Sequence, residues 1–287
     1  MVILILGCKL RKLELKIASK DDDAKMKLRR DILLEEFKPS TMTTHDALQK
    51  IASFLPYLEE VHLDDIFNDN KILSELQKYT DVLNLNKSPN NLLLAWQTVA
   101  KNILETQGSQ FKLQTLSLSG CAINDEIMEA LAPALVKIKN VHLGHNPISV
   151  QGWQHLEKAL KTSYSSNDHV ALTHLSVKNE QKSNDKMVVG NNAKYLHCQD
   201  MEQFAKICVH LEEVDLSGQV EIGHEGWDIF FEKLKEIQNS KLKNLNLKSC
   251  KVKSEGLNHL KFAHPGLKLE HDCSLDSTSI SGGKWCC

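Results

Sequence analysis

Apolar residues recur along this chain with a spacing that is neither purely helical nor purely strand-like. An apolar residue at i is followed by others at i+3 and i+5, then by an apolar or amide residue at i+8 and an aliphatic one at i+10. The template fits Leu113, Leu116, Leu118, Cys121 and Ile123; Ile138, Val141, Leu143, Asn146 and Ile148; and Leu242, Leu245, Leu247, Cys250 and Val252. Leu211, Val214 and Leu216 follow it with Ile222 displaced by one residue, while Leu172, Leu175, Val177 and Leu58, Val61, Leu63 match the first half. Leu10, Leu13, Leu15 and Thr80, Leu83, Leu85 are less complete candidates. Residues at i+3 and i+5 point to one side of a short extended strand, so each window predicts a strand with one buried edge of side chains.

The period then changes. Gly152-Trp153, Gly226-Trp227 and Gly256-Leu257 each open a segment whose apolar residues recur every three to four positions, as in Trp153, Leu156, Leu160 and in Trp227, Phe230, Leu234. That is the signature of a helix with one buried stripe. Asn124, Ser149 and Ser254 stand where a side-chain oxygen would cap the first helical amides, and Pro133 is expected to end or kink its helix early. His45 to Leu55, HDALQKIASFL, also reads as a helix. A strand and a helix repeated at this interval cannot each bury an apolar face alone, so neighbouring units must stack.

LSLSGCAIND, VHLGHNPIS and LNLKSCKVKSEG, with the helices QGWQHLEKAL and EGWDIFFEKL, resemble leucine-rich repeats of the ribonuclease-inhibitor type. The resemblance is firm over residues 111 to 265 and extends in weaker form back to about residue 10. It implies an α/β fold: a curved solenoid with a parallel inner sheet and outer helices. Two units depart from the usual length, since 34 positions separate Ile138 from Leu172 and 39 separate Leu172 from Leu211. The excess in the second is the polar stretch Lys178 to Asn192, expected to form a loop or small hairpin on the outer face. We divide the chain into irregular or degenerate repeats over 1–57, the solenoid over 58–265, and a terminal cap with a flexible tail over 266–287.

Stacking of this kind leaves positions i+1, i+2, i+4 and i+6 outside the core and lined up along the inner sheet, on rungs about 4.8 Å apart. The i+4 column reads Glu14, His62, Asn84, Ser117, His142, Ser176, Asp215, Asn246. Glu59, Glu60 and Asp64 flank it on an early rung, Glu212 and Glu213 on a late one, and His174 and Lys243 stand at i+2 and i+1 of theirs. We take these residues as a partner-binding concave face. A face of mixed charge with few aromatics suits a protein ligand whose own charge pattern is read across many rungs. Solvation alone would also make such strand positions polar, so the face carries the prediction rather than any one residue.

Composition narrows the function. With 287 residues, 41% apolar, and a net charge of −2, the chain has the make-up of a globular protein and no basic excess to attract nucleic acid. The apolar opening MVILILG is too short to span a bilayer and is followed rather than preceded by positive charge, so a cytoplasmic location is expected. The eight cysteines show no metal-ligand spacing, and Cys121 and Cys250 fall at i+8, where the repeat type turns a small residue inward. His142 and His174 lie on consecutive rungs but offset along them, which argues against a shared metal. No cofactor is expected, and no nucleophile elbow, paired-acid constellation or phosphate loop suggests an enzyme.

The terminal Cys286 and Cys287 resemble the geranylgeranylated Cys-Cys of Rab-family GTPases. That modification depends on a GTPase body, and no GxxxxGK[ST] loop occurs here, so Ser274 to Cys287 reads as a tail, with lipidation of the two cysteines as the alternative. Repeats with Gly-Trp helices resemble the C-terminal sensor region of NACHT and leucine-rich-repeat receptors of innate immunity (NOD-like receptors). That resemblance implies ligand sensing and autoinhibition, with a NACHT domain of a parent receptor as a further partner. The abrupt start in a candidate strand, Lys9 to Ile17, without a capping element, fits a fragment of such a protein. The alternative is an assembly or activating role like that of the Ran GTPase-activating protein, whose repeats are of the same type.

Overall fold

The computed structural model describes residues 2–6, 10–17, 52, 58–63, 89–106, 111–165, 170–179, 196–237 and 240–272, with backbone alone for 2–6, 10–17, 58–59 and 89–92. Among the described residues, nine strands form one sheet in chain order. They are β1 (Val2–Leu6), β2 (Leu10–Ile17), β3 (Leu58–His62), β4 (Thr115–Ser117), β5 (Asn140–His142), β6 (His174–Ser176), β7 (Glu213–Asp215), β8 (Asn244–Asn246) and β9 (Lys268–Glu270). From β3 to β9 every pairing is parallel and in register, so Val61, Leu116, Val141, Leu175, Val214, Leu245 and Leu269 form a single column. All but Leu269 are at most 2% exposed. This is the i+3 column of the sequence pattern, and the architecture is the expected leucine-rich-repeat solenoid.

Three features differ from the sequence reading. The segment beginning at Leu10 forms a strand, but β1 and β2 pair antiparallel, as do β2 and β3, so it is not a parallel rung. Three residues separate β1 from β2, whereas a parallel connection needs a dozen or more. Glu14 still faces His62 across the antiparallel pair, as the i+4 column proposed. Second, β3 pairs directly with β4, so Ser117 follows His62 in the i+4 column; the candidate window Thr80 to Leu85 lies outside the described residues. Third, β9 adds a rung within the stretch read as terminal cap and tail; with Gly266 at i and His271 at i+5, it lacks the leucines that mark the others.

Six helices cover the outside among the described residues: α1 (Pro89–Glu105), α2 (Asp125–Leu135), α3 (Val150–Ser165), α4 (Met201–Cys208), α5 (His224–Glu236) and α6 (Ser254–Ala263). Each stripe packs against the sheet. Trp153, Leu156 and Leu160 of α3 and Trp227, Phe230 and Leu234 of α5 are all at most 1% exposed, and burial on this scale contributes about 1.5–3 kcal/mol per large side chain. The tryptophans knit adjacent elements: Trp153 meets Phe204 of α4 edge-to-face at 5.1 Å between centroids. Helix α2 runs two residues beyond Pro133, whose ring is exposed in the final turn, so the early stop expected there is not found. Of the expected helix at His45–Leu55, only Ala52 falls among the described residues, helical and buried.

The glycine before each aromatic or leucine has a packing cause. A Cβ on Gly152 would lie 2.5 Å from Asp125 Oδ1, one on Gly226 3.0 Å from the Cys198 Cα, and one on Gly256 2.7 Å from the Phe231 ring. Each helix therefore starts against the preceding unit at a distance only hydrogen allows. Capping follows the same logic. Asn124 Oδ1 accepts from the Ile127 amide as expected, but the start of α3 is held mainly by Asp125 of the preceding unit, which accepts from Ser149 N at 2.8 Å, Gly152 N at 3.0 Å and the Ser149 hydroxyl. Ser254 is the first helical residue of α6 and does not cap; Lys253 takes the cap position.

Candidate functional site

The inner face is set by two layers of repeated chemistry. The first closes the turn after each strand. At i+7, Gly120, His145, Gly218 and Ser249 all adopt positive φ, between 56° and 76°. That reversal brings the i+8 side chain back beneath the strands. Cys121 donates its thiol hydrogen to the Leu63 carbonyl at 2.9 Å, Asn146 donates to Leu118 at 2.8 Å, Gln219 to Val177, and Cys250 to Leu216 at 3.0 Å. In every case the acceptor is the i+5 carbonyl of the preceding rung. Asn146 also donates to Leu143 and Gly144 and accepts from the Ile123 amide. Burial pushes the Cys250 thiol up to about 12, so it remains a protonated donor. The sequence reading recognised the cysteines and Asn146 but passed over Gln219, because the apolar residue after it is displaced to Ile222.

The second layer is the face itself. At i+4 the side chains do more than meet solvent. Asp215 Oδ1 accepts from the Ser217 amide at 2.9 Å, Asn246 Oδ1 from Lys248 N at 3.1 Å, and Ser176 Oγ from Lys178 N at 3.4 Å. These local bonds bend the chain out of the strand into its turn. The i+4 column is thus partly architectural. Ser117 in the same column is only 3% exposed, whereas His62, His142, Ser176, Asp215 and Asn246 are half-buried.

At i+2 and i+1 the polar groups join one rung to the next. Asn140 donates to the Thr115 hydroxyl at 3.0 Å, Asn244 to Glu213 at 2.8 Å, and His174 Nε2 lies 3.2 Å from the other Glu213 oxygen. Lys243 meets Glu212 at 2.9 Å, and on the last rung Lys248 and Lys268 both hold Glu270, at 2.8 and 3.0 Å. The hydrogen bond and charge of Lys243 keep the Glu212 carboxyl below its ordinary range, with His174 and Lys139 adding to the effect. Lys248 and then Lys268 draw Glu270 down to about 2. On the early rung, His62 Nε2 stands 3.9 Å from Glu60.

The structure therefore brings Glu60, His62, Ser117, His142, His174, Ser176, Glu212, Glu213, Asp215, Lys243 and Asn246 onto one continuous sheet face in the expected columns. Asn140 faces His174 and His142 faces Ser176, so the two histidines are offset as expected. Asp64, Asn84, Cys286 and Cys287 lie outside the described residues, as does the side chain of Glu59. Among the described residues no helix is long and apolar enough to cross a membrane.

A family model described as Leucine Rich repeat matches residues 109–132 and 238–260, the two units that carry Cys121 and Cys250. No curated protein matches the chain. The repeated ladder and the in-register sheet form a leucine-rich-repeat solenoid, and these two matches support leucine-rich repeats within the chain.

Proposed function

We propose that this chain is a non-enzymatic interaction module that binds a protein ligand on its concave face, centred on the rungs β5 to β8. What carries the reading is the continuous i+2 ladder, where Asn140, His174, Glu213 and Asn244 present donors and acceptors in register and at half-exposure. Rigid strands fix those groups, so little side-chain entropy remains to be lost on docking. The Gly-Trp helices and long units favour a role like that of the ligand-sensing and autoinhibitory repeats of NOD-like receptors, with a NACHT domain as a second partner. Four described cysteines are free thiols, and two of them serve as hydrogen-bond donors, which suits a reducing, cytoplasmic setting.

Crosslinking the purified chain in cell lysate and identifying its partners tests the assignment. A NACHT domain or a pathogen-derived protein supports it, and a dominant small GTPase replaces it with the activating or assembly role. The face is tested by reversing Glu212 and Glu213 to lysine while leaving Asp215, whose carboxylate holds the Ser217 turn. Unchanged partner binding removes these rungs from the face.

A further inference from the structure

Beside the concave face, where the strands begin and the outer helices end, charge collects in a way the near-neutral chain does not foretell. Lysines from separate units converge on the entrance to β7. Lys161, from the last turns of α3, and Lys241, from the unit of β8, bear on His210, while Lys139, from the unit of β5, and Lys243 bear on Glu212. Lys139, Lys161, Lys241 and Lys243 are all exposed. The cluster is built on an ordered support: Lys241 Nζ lies 4.1 Å from the centroid of the Tyr164 ring, that ring stacks on His210 at 5.5 Å, and the Tyr164 hydroxyl donates to the His210 carbonyl at 3.2 Å. Two acids share the region. Glu157 is bound to Lys161 and Gln203, and Glu212 is bound to Lys243.

The rim already shows what it takes. Glu212 is bound by Lys243 of the next unit at 2.9 Å, and that bond and charge, with His174 and Lys139 adding to them, keep its carboxyl below the ordinary range. Burial first, and then the charges of Lys161 and Lys241 against the opposing pull of Glu157, hold His210 below the ordinary histidine range. We propose that this strand-entry rim, formed by Lys139, Lys161 and Lys241 around His210, is a second docking site that takes a glutamate- or aspartate-rich segment of a partner protein. The rim borders the concave face, since Lys139 stands at i+1 and Glu212 and Lys243 belong to that face, whereas Lys161, Lys241 and His210 lie outside its candidate set, and their variants separate the two readings.

Charge pattern favours a peptide over a nucleic acid. No arginine occurs after Arg30, so the rim lacks the planar fork suited to phosphate and base edges.

The test uses the full chain and a fluorescein-labelled peptide of alternating glutamate and alanine, followed by anisotropy. The expected result is saturable binding that weakens as salt rises from roughly 0.05 to 0.5 M. It should fall at least tenfold in K139Q/K161Q/K241Q and not in the control K101Q/K233Q/K253Q, which removes the same charge from the outer helices. If the triple variant is poorly folded by its melting curve, K139Q/K161Q and K241Q are measured separately and each should show a partial loss. In the wild-type chain, saturation with peptide should also raise the titration midpoint of the His210 imidazole followed by NMR. Absent binding, equal loss in the control, or an unmoved His210 overturns the proposal. Tighter binding of an oligothymidine or of phosphatidylserine vesicles than of the peptide overturns it in favour of a phosphate-bearing partner.

Discussion

The side-chain amide of Asn146 donates to the Leu118 carbonyl, one rung back and 28 positions earlier, at 2.8 Å. The same amide bonds Leu143 and Gly144, and its oxygen takes the Ile123 amide, so a single residue only 6% exposed closes the backbone of two units. Replacing it leaves several buried polar groups without partners, each costing about 1–3 kcal/mol before relaxation. Asn146→Ala should therefore lower stability by about 2–4 kcal/mol in denaturant titration. Cys250→Ala, which removes one weaker donor, should cost about 1 kcal/mol from that bond. Equal losses would mean that the asparagine network contributes no more than the thiol.

Ser249 stands at φ 56° in a turn where Gly120 and Gly218 fill the equivalent position. A non-glycine residue in this conformation costs about 1–2 kcal/mol, part of which glycine gives back through its freer unfolded chain. Ser249→Gly should stabilise the protein by about 0.5–1 kcal/mol, seen as a shifted denaturation midpoint with unchanged slope. Gly218→Ala should do the opposite, by at least about 1 kcal/mol, because φ is 76° and the new Cβ would collide with the Asn179 carbonyl oxygen.

Asp125 belongs to one unit and caps the helix of the next. Loss of a helix cap costs about 0.5–2 kcal/mol, and here it also weakens the joint between repeats. Asp125→Ala should accelerate amide exchange at Ser149 and Gly152 more than at Ile127, whose own cap, Asn124, is untouched. Uniform acceleration would show that the effect is global rather than at the joint.

Glu270 carries a pH signature. Its folded-state pKa is drawn from 4.5 to about 2 by Lys248 and Lys268, so the carboxylate stabilises the fold above its unfolded-state value and loses that contribution as pH falls through the folded one. The melting temperature of Glu270→Gln should lie below wild type at neutral pH, with the gap closing between pH 4.5 and about 2. The carboxylate is exposed, so the gap should also narrow in high salt.

Much of the fold was legible because it rests on side chains with one chemical demand. Leucines at i, i+3 and i+5 must be buried, and a Gly-Trp pair at a helix start marks a close approach followed by a large knob. β9 escaped notice because Gly266 and His271 stand where the other units carry apolar residues, although Leu269 keeps its place in register beside Leu245. Gln219 escaped because the next aliphatic is shifted, although its bond to Val177 is that of its counterparts.

The sequence by itself determined the repeat, the outer helices α2, α3, α5 and α6, the polar columns of the inner face and the inward turn of Cys121, Asn146 and Cys250, while α1 and α4 carry no such signal. Those follow from local spacing, since periodicity is set by backbone geometry within one unit. Only the tertiary structure decided which units are neighbours and which charges meet. The antiparallel entry of β2, the direct contact of β3 with β4, the capping of α3 by Asp125 and the gathering of Lys139, Lys161, Lys241 and Lys243 at the start of β7 all join residues from different units. A lysine's position in the chain gives its charge; the field it helps to make depends on stacking, which brings distant units within a few ångströms.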